Sequence, residues 1–552
     1  MKVVIVGGVA GGATAAARLR RVDENAEIIL FERGEYISFA NCGLPYYIGG
    51  TIEDRDELLL QTPESFNERF GVDVRVLNEV VSIDKEGKKV SVQDHKSGKT
   101  YDESYDVLVL SPGSTPLRPP IPGIDGKNIF SLWNIPDTDA IKAFVNEHDL
   151  ESATVIGGGF IGLEMAENLH DLGLKVNIAE MAPQVMMPID FEMAQIVHGH
   201  LKKKGVQLHL NNGVKEFVQN GDGTEVVLSD GTRIPSDLVI LSIGIKPNGE
   251  LAKAAGLEVN ERGGIVVDEN LKTSDENIYA LGDAADVVDF INGGKTMIPL
   301  AGPANKQGRI VADNIAGASK RYKGSQGTSV AKVFDLTVSS TGTNEKTLQR
   351  LGKVYGKDYH VVHALPNSHA GYYPGAQTIW IKLLFAADGK VLGAQAVGTE
   401  GVEKRIDVIA TAIRFGASVY DLTELELAYA PPYSSAKDPV NMVGFVAENI
   451  LDGLMDPIRV EEIPDVDLEK SVFLDVRTEY EHKRGTIPGS LHIPVDELRE
   501  RVGELDSSKE IVIFCAVGVR GHVASRILGQ KGFKTRNLMG GFSLYRQYHL
   551  PV

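Results

Sequence analysis

A chain of 552 residues, 43% of them hydrophobic, is too long for one core and predicts three or four domains. Its formal net charge of −18, with no long Lys/Arg run, argues against nucleic acid as a partner, because phosphate backbones are held by clustered positive charge. No apolar run reaches the roughly eighteen residues of a membrane span, and MKVVIVGG enters a strand directly instead of a signal peptide, so a cytoplasmic location is expected. Two cysteines are too few for a disulfide framework or a thiolate metal site, so no metal is expected. A lone cysteine is by default a small buried hydrophobe, and only its context argues otherwise.

Residues 2–6, Lys-Val-Val-Ile-Val, read as a strand that runs into Gly7-Gly8-Val9-Ala10-Gly11-Gly12 and an Ala-rich helix over 13–21. The next strand, 26–31, delivers Glu32 twenty residues after Gly12, where an acid can hydrogen-bond an adenosine ribose. Small residues let the backbone approach a pyrophosphate, and the unpaired N–H groups of the helix start attract it. Val9 stands at the middle glycine position of GxGxxG. Cys42 follows in Ser38-Phe39-Ala40-Asn41-Cys42-Gly43-Leu44-Pro45. The stretches 107–114 and 119–123 read as a crossover into a second nucleotide unit.

There the pattern repeats intact. A strand at 153–156 leads into Gly157-Gly158-Gly159-Phe160-Ile161-Gly162, a helix over 163–172, and a strand at 175–179 ending at Glu180. Two such units predict two different dinucleotides. Glu180, followed by Met181, offers no cation to a 2′-phosphate and repels one, so NADH is expected over NADPH. Residues 241–244 read as the return crossover, and 273–283 end at Asp283. Strands at 378–385 and 391–397 and a helix over 405–415 make an α/β module of 326–450. A new domain starts near Arg459, with strands at 471–474 and 510–514. The second delivers Cys515 to a strand-to-helix turn, Cys515-Ala516-Val517-Gly518-Val519-Arg520, followed by a helix through 528. Ligands bind at such strand ends, where loop N–H groups and a helix start stabilise anionic sulfur.

These segments together resemble the two-dinucleotide-binding flavoprotein disulfide reductases over residues 1 to about 450. That superfamily usually carries a CxxxxC disulfide, whereas this chain has one thiol there. The run 38–42 resembles the single-cysteine branch: coenzyme A disulfide reductases, NADH-dependent persulfide reductases, and NADH oxidases and peroxidases. The resemblance implies FAD held by Gly7, Gly8, Ala10, Gly11, Gly12, Glu32, Arg33, Ser111, Gly113, Asp283 and Ala301, and a pyridine nucleotide held by Gly157, Gly159, Ile161, Gly162, Glu180 and Gly244. It implies a coenzyme A channel of Thr14, Arg18, Arg21, Ser38 and Asn41, with Asn305. Arg18 and Arg21 lie one turn apart and can act together on phosphates. Phe70 stands where some of those reductases have a lysine. A helix start and a flavin beside Cys42 are expected to depress its pKa. Residues 326–450 resemble the family's homodimer module, in which Tyr433, with Tyr372 or Tyr373, reaches a partner's redox cysteine as an acid.

The last 90 or so residues resemble the rhodanese family, through Leu474-Asp475-Val476-Arg477, the Cys515 to Arg520 loop and residues 537–542. By that resemblance Cys515 carries a persulfide and Arg520 positions anionic donors. The expected fold class is α/β: two Rossmann-like dinucleotide-binding domains (FAD, 1–112 and 246–325; NAD(P)H, 113–245), an α/β dimerisation domain (326–450) and a C-terminal rhodanese domain (459–552). The expected function is reduction of persulfide, polysulfide and coenzyme A disulfide bonds. The rivals are an NADH oxidase or peroxidase cycling Cys42 through sulfenic acid, and a non-catalytic sensor or sulfur-carrier scaffold.

Overall fold

The β-branched run at the amino terminus forms strand Lys2–Val6, whose Val3, Val4 and Ile5 are completely buried. A strand covered on both faces reads as continuous rather than alternating apolar sequence, and each such side chain contributes about 1.5–3 kcal/mol over exposure. It pairs in parallel with Glu27–Glu32 on one side and Val107–Leu110 on the other. The sheet order is Ile278–Ala280, Val107–Leu110, Lys2–Val6, Glu27–Glu32, Asp73–Val76. The strand at 278–280 therefore returns from late in the sequence to close one edge.

The computed structural model describes residues 1–551 and has two compact units. The first is Met1–Ala182 with Asn211–Gly327; the second is Pro183–Leu210 with the chain from Thr328 onward. In the first unit a second parallel arrangement runs Lys175–Ala179, Ser152–Ile156, Leu238–Leu241, Ile129–Ser131. The two crossovers meet as a ribbon, Ser114–Pro116 antiparallel to Ile245–Pro247.

In the second unit an antiparallel sheet runs Ser329–Val333, Leu336–Gly342, Val391–Gly398, Trp380–Ala386, Tyr359–Ala364, with helices Val402–Arg414 and Pro439–Leu451. A parallel sheet follows in the order Pro457–Ile458, Thr535–Leu538, Glu510–Phe514, Ser471–Asp475, Leu491–His492. The chain is thus mixed α/β, with two parallel sheets in the first unit and an antiparallel and a parallel sheet in the second.

Several boundaries differ from the sequence pattern. Both glycine-turn helices start three residues early, at Ala10 and Phe160, because the last glycines of each turn already lie in the first helical turn. The segment 183–210 falls in the second unit. Its Asp190 and Glu192 take up the buried ammonium of Lys382, 2.9 and 2.5 Å away. Glu345 completes that ring at 2.8 Å. These three carboxylates have the spacing of a metal site, but the ammonium sits among them.

Candidate functional site

The two glycine turns are built alike. Gly7 has φ +99° and Gly157 φ +106°, and a Cβ on either would meet a carbonyl oxygen at 2.1 Å (Ser111) or 2.3 Å (Ser242). Only glycine fits both the left-handed backbone and the close approach. Glu32 accepts hydrogen bonds from the N–H groups of Gly8 and Gly34, both 2.9 Å. Glu180 repeats this with Gly158 (2.7 Å) and Ala182 (2.8 Å). Each acid is held at its strand end facing its turn. The space beside Gly159 is open, and Ile161 and Met181 are solvent-exposed.

Gly7, Glu32, Ser111 and Asp283 all lie at or just beyond carboxyl ends of strands in the first sheet, where open α/β sheets bind ligands. Asp283 is half-buried on a turn, Gly282–Ala284, and accepts the Ser114 hydroxyl at 2.9 Å; desolvation pushes its carboxyl up. Gly11 is closely faced by Ser111 and Leu281, Gly113 has φ +65° with open space, and Ala301 begins helix Ala301–Ile315. Arg33 lies over the Trp133 ring at 5.4 Å, and Gly244 has φ +120°. A half-buried acid with one hydroxyl partner, beside a helix start and a glycine turn, fits the polyol and pyrophosphate of FAD.

Cys42 lies exposed on a single turn, Asn41–Gly43, that leads into helix Leu44–Ile48. The expectation of a depressed pKa is overturned for the protein's own groups. The surrounding protein desolvates the thiol, and the carboxylates of Glu164 and Asp283 repel its anion, so all three push the pKa up. The 44–48 helix is too short to offset two acids. Glu164, on helix Phe160–Asp171, is raised to about 7 by burial and hydrogen-bonds Tyr46. The two helices are in close contact: a Cβ on Gly49 would lie 2.1 Å from Asn168 Oδ1. Glu164 and Tyr46 were not expected from sequence. The available signal was one acid in the apolar run Ile161-Gly162-Leu163-Glu164-Met165. Nearby, Ser38 adopts φ +46°, strained for a residue with a side chain, and donates its N–H to Gly8 at 2.9 Å.

Of the expected coenzyme A set, Thr14 donates its hydroxyl to Asn305 at 2.6 Å, joining residues 291 apart. Asn41 is exposed next to Cys42. Arg18 and Arg21 do not converge. Arg18 is paired with Asp313 at 2.7 Å, where Lys320 also binds, while Arg21 lies over the Phe70 ring at 6.0 Å.

In the second unit the buried Arg405 ties two loops together, donating to the carbonyls of Ser368 (2.9 Å) and Tyr433 (3.3 Å) and pairing with Asp438. These loops present exposed tyrosines. Tyr372 and Tyr433 are 76% and 73% exposed, and the Tyr372 and Tyr429 hydroxyls are 2.9 Å apart. Tyr373 packs edge-on against His369.

Cys515 ends strand Glu510–Phe514 and is fully buried. The Gly518 N–H donates to its Sγ at 3.1 Å, and helix Val519–Gly529 begins directly after. Gly541 packs against the loop base, where a Cβ would lie 2.5 Å from the Cys515 carbonyl oxygen. Arg520 makes two parallel hydrogen bonds to Glu481, 2.7 and 2.6 Å, a partner not foreseen from sequence. Glu481 first, and the Cys515 sulfur also, raise the Arg520 pKa.

A family model described as pyridine nucleotide-disulphide oxidoreductase matches residues 1–308, its dimerisation domain matches 328–439, and a rhodanese-like domain matches 463–548. The chain is 37% identical over 449 residues to a coenzyme A disulfide reductase of Staphylococcus epidermidis, covering 81% of this chain and 100% of that protein. The crystal structure of reduced Bacillus anthracis CoADR-RHD superposes with TM-score 0.97 at 55% identity, covering 99% of this chain and 98% of that one. An NAD-dependent persulfide reductase from A. fulgidus gives 0.92 at 41% identity, covering 99% and 100%. Among the described residues no helix is long and apolar enough to cross a membrane.

Proposed function

The chain belongs to the pyridine nucleotide-disulphide oxidoreductase family, and from that premise we propose that it reduces persulfide, polysulfide and coenzyme A disulfide bonds at Cys42, while Cys515 carries sulfane sulfur. One observation carries the reading: a lone exposed thiol faces Glu164 of the second nucleotide helix and Asp283 of the first sheet's edge. Bound FAD would supply the route by which an electron pair from the pyridine nucleotide reaches the sulfur on Cys42. The residues do the rest.

Cys42 thiolate attacks the sulfane or disulfide sulfur of the substrate. The old S–S bond breaks, hydrosulfide or a thiolate leaves, and the new S–S bond stays on Cys42. Two electrons then break that bond and restore the thiolate. Glu164, half protonated near neutral pH, holds a proton beside that sulfur. The module at 328–439 supports a homodimer, in which Tyr433 with Tyr372 or Tyr373 donates a proton to the leaving thiolate of the partner's site. Thr14, Ser38, Asn41 and Asn305 line the coenzyme A channel, with Arg18 and Arg21 contributing separately.

Anaerobic NADH consumption on adding coenzyme A persulfide, with hydrosulfide released, is the expected result. Turnover only with oxygen or peroxide would reject it in favour of the oxidase rival. That rival is less supported, because the similar reductase structures cover 99% of this chain, tail included.

Two further outcomes follow from the geometry. Glu164→Gln removes a negative charge facing Cys42, so the midpoint of the holoenzyme's alkylation-rate profile against pH falls. An unchanged midpoint rejects the contact. For the coenzyme, the fixed Glu180 carboxylate disfavours a 2′-phosphate, so kcat/KM for NADH exceeds that for NADPH by at least about tenfold, and Glu180→Gln narrows the gap. Equal use of both coenzymes by the unmodified protein contradicts this.

A further inference from the structure

The cations around Cys515 are already matched by acids. Arg520, on the first turn after the loop, spends two of its five donors on both oxygens of Glu481. Glu481 cannot swing away freely, because Thr478 caps the helix Glu479–Lys483 and holds it: the Thr478 N–H and hydroxyl donate to Glu481 Oε2 at 3.0 and 2.8 Å. The pair joins residues 39 apart in sequence, so it belongs to the fold and not to local chain chemistry. Arg520 also keeps Glu481 ionised, its carboxyl held down to about 2.

The second arginine is matched too. Arg477 follows the strand beside Cys515's own, with Asp475 paired in register to Phe514. It donates to Asp475 at 2.9 and 2.6 Å and lies over the Phe542 ring at 4.2 Å. Asp475 takes His482 Nδ1 as well, at 2.9 Å. His522, on the helix that follows the loop, is pushed by burial toward its neutral form. Two guanidinium groups thus meet two carboxylates. At the sulfur stand the Gly518 N–H, the start of the 519–529 helix and Arg520, whose charge Glu481 offsets.

We infer that Glu481 is a positioning residue that sets which sulfur donors Cys515 accepts, by cancelling Arg520 and so favouring donors of one negative charge over divalent ones. The inference rests on the reading of Cys515 as a sulfane carrier and names its substrate class: persulfides and related monoanions rather than thiosulfate. The step is the same for each donor. Cys515 thiolate attacks the outer sulfur, the donor's S–S bond breaks, and the remainder leaves with the bonding pair. Cyanide then takes the outer sulfur as thiocyanate and the thiolate returns.

Thiosulfate and methanethiosulfonate offer the same outer sulfur and differ by one charge, so the full-length holoenzyme is assayed with each, with cyanide as acceptor. The unmodified protein should favour methanethiosulfonate in kcat/KM, and Glu481→Gln should lower that preference on the order of tenfold, mainly through a smaller KM for thiosulfate. Glu481→Asp keeps the charge and should keep the preference, even at a lower rate. A donor preference unchanged in Glu481→Gln, or both donors losing equally, overturns the inference and leaves Glu481 a structural cap. Independently of any variant, the unmodified protein's KM for thiosulfate should change less than about twofold between 50 and 500 mM salt. A steep rise would reveal an uncancelled positive mouth and also overturn it. Thiocyanate formation that survives Cys515→Ser would instead sink the underlying reading of Cys515, a separate failure.

Discussion

Replacing Cys42 by serine lowers NADH-dependent persulfide reduction by at least about a thousandfold and leaves thiocyanate formation at Cys515 in place. A serine hydroxyl stays protonated at neutral pH and does not attack sulfur, whereas a thiolate does. The chain has one other cysteine, and that one is fully buried at the end of a strand in the other unit. No third thiol exists to take over as the nucleophile. The measurement is anaerobic single-turnover kinetics with coenzyme A persulfide, alongside the visible spectrum to show that the flavoprotein is loaded. Persulfide turnover at the unmodified rate in this variant removes Cys42 from the mechanism. A scaffold or sensor would show no steady-state turnover to lose in the first place.

Lys382→Met costs about 3–5 kcal/mol of folding stability, because it strands three buried carboxylates without their cation. The ammonium of Lys382 touches Asp190, Glu192 and Glu345, all buried, and Arg459 reaches Glu345 from the carboxyl-terminal side at 2.8 Å. Burial opposes the charge on Lys382, and the three acids overcome that and hold its pKa well above the ordinary range. Burial likewise opposes ionisation of Glu192, and Lys382 and His363 reverse it, holding the carboxyl below its ordinary range. The sign of the pH effect follows. In the unmodified protein the Glu192 contribution is present above the ordinary carboxylate range and is lost as pH falls through the depressed value. In Lys382→Met the Glu192 carboxyl loses the cation that holds it down and its pKa rises, so the variant gains stability as pH falls from 8 toward 5. Thermal unfolding across that range tests it: a Tm for the variant that falls with pH, in parallel with the unmodified protein, contradicts the account.

The glycine turns were legible in the sequence because their requirement is local. A left-handed φ at Gly7 and Gly157, with a carbonyl about 2 Å from any added Cβ, admits one residue type. The strand before each turn and the acid after it are local signals too. Cys42 and Cys515 stood out by scarcity. What surrounds them did not, because it is assembled from distant segments. Glu164 is 122 positions after Cys42, and a helical pattern alone does not say which neighbour an acid meets. Glu481 and Arg520 meet only when two strands of the last sheet lie side by side. Lys382, in Trp380-Ile381-Lys382-Leu383-Leu384, is completely buried, and its local sequence does not show why, since its partners come from 190, 192 and 345. The partners of Arg18 and Arg21 were hidden for the same reason: Asp313 and Phe70 lie far along the chain.

The late strand Ile278–Ala280 has a consequence for how the molecule is made. During synthesis, Val107–Leu110 emerges with one flank unpaired and keeps that open edge until about 170 more residues have left the ribosome. In the meantime the intervening segment can complete the core of its own nucleotide sheet, whose strands lie between 129 and 241. The nascent polypeptide thus completes its second parallel sheet before its first. Asp283, three positions beyond the closing strand, follows at once, and Ala301 later still.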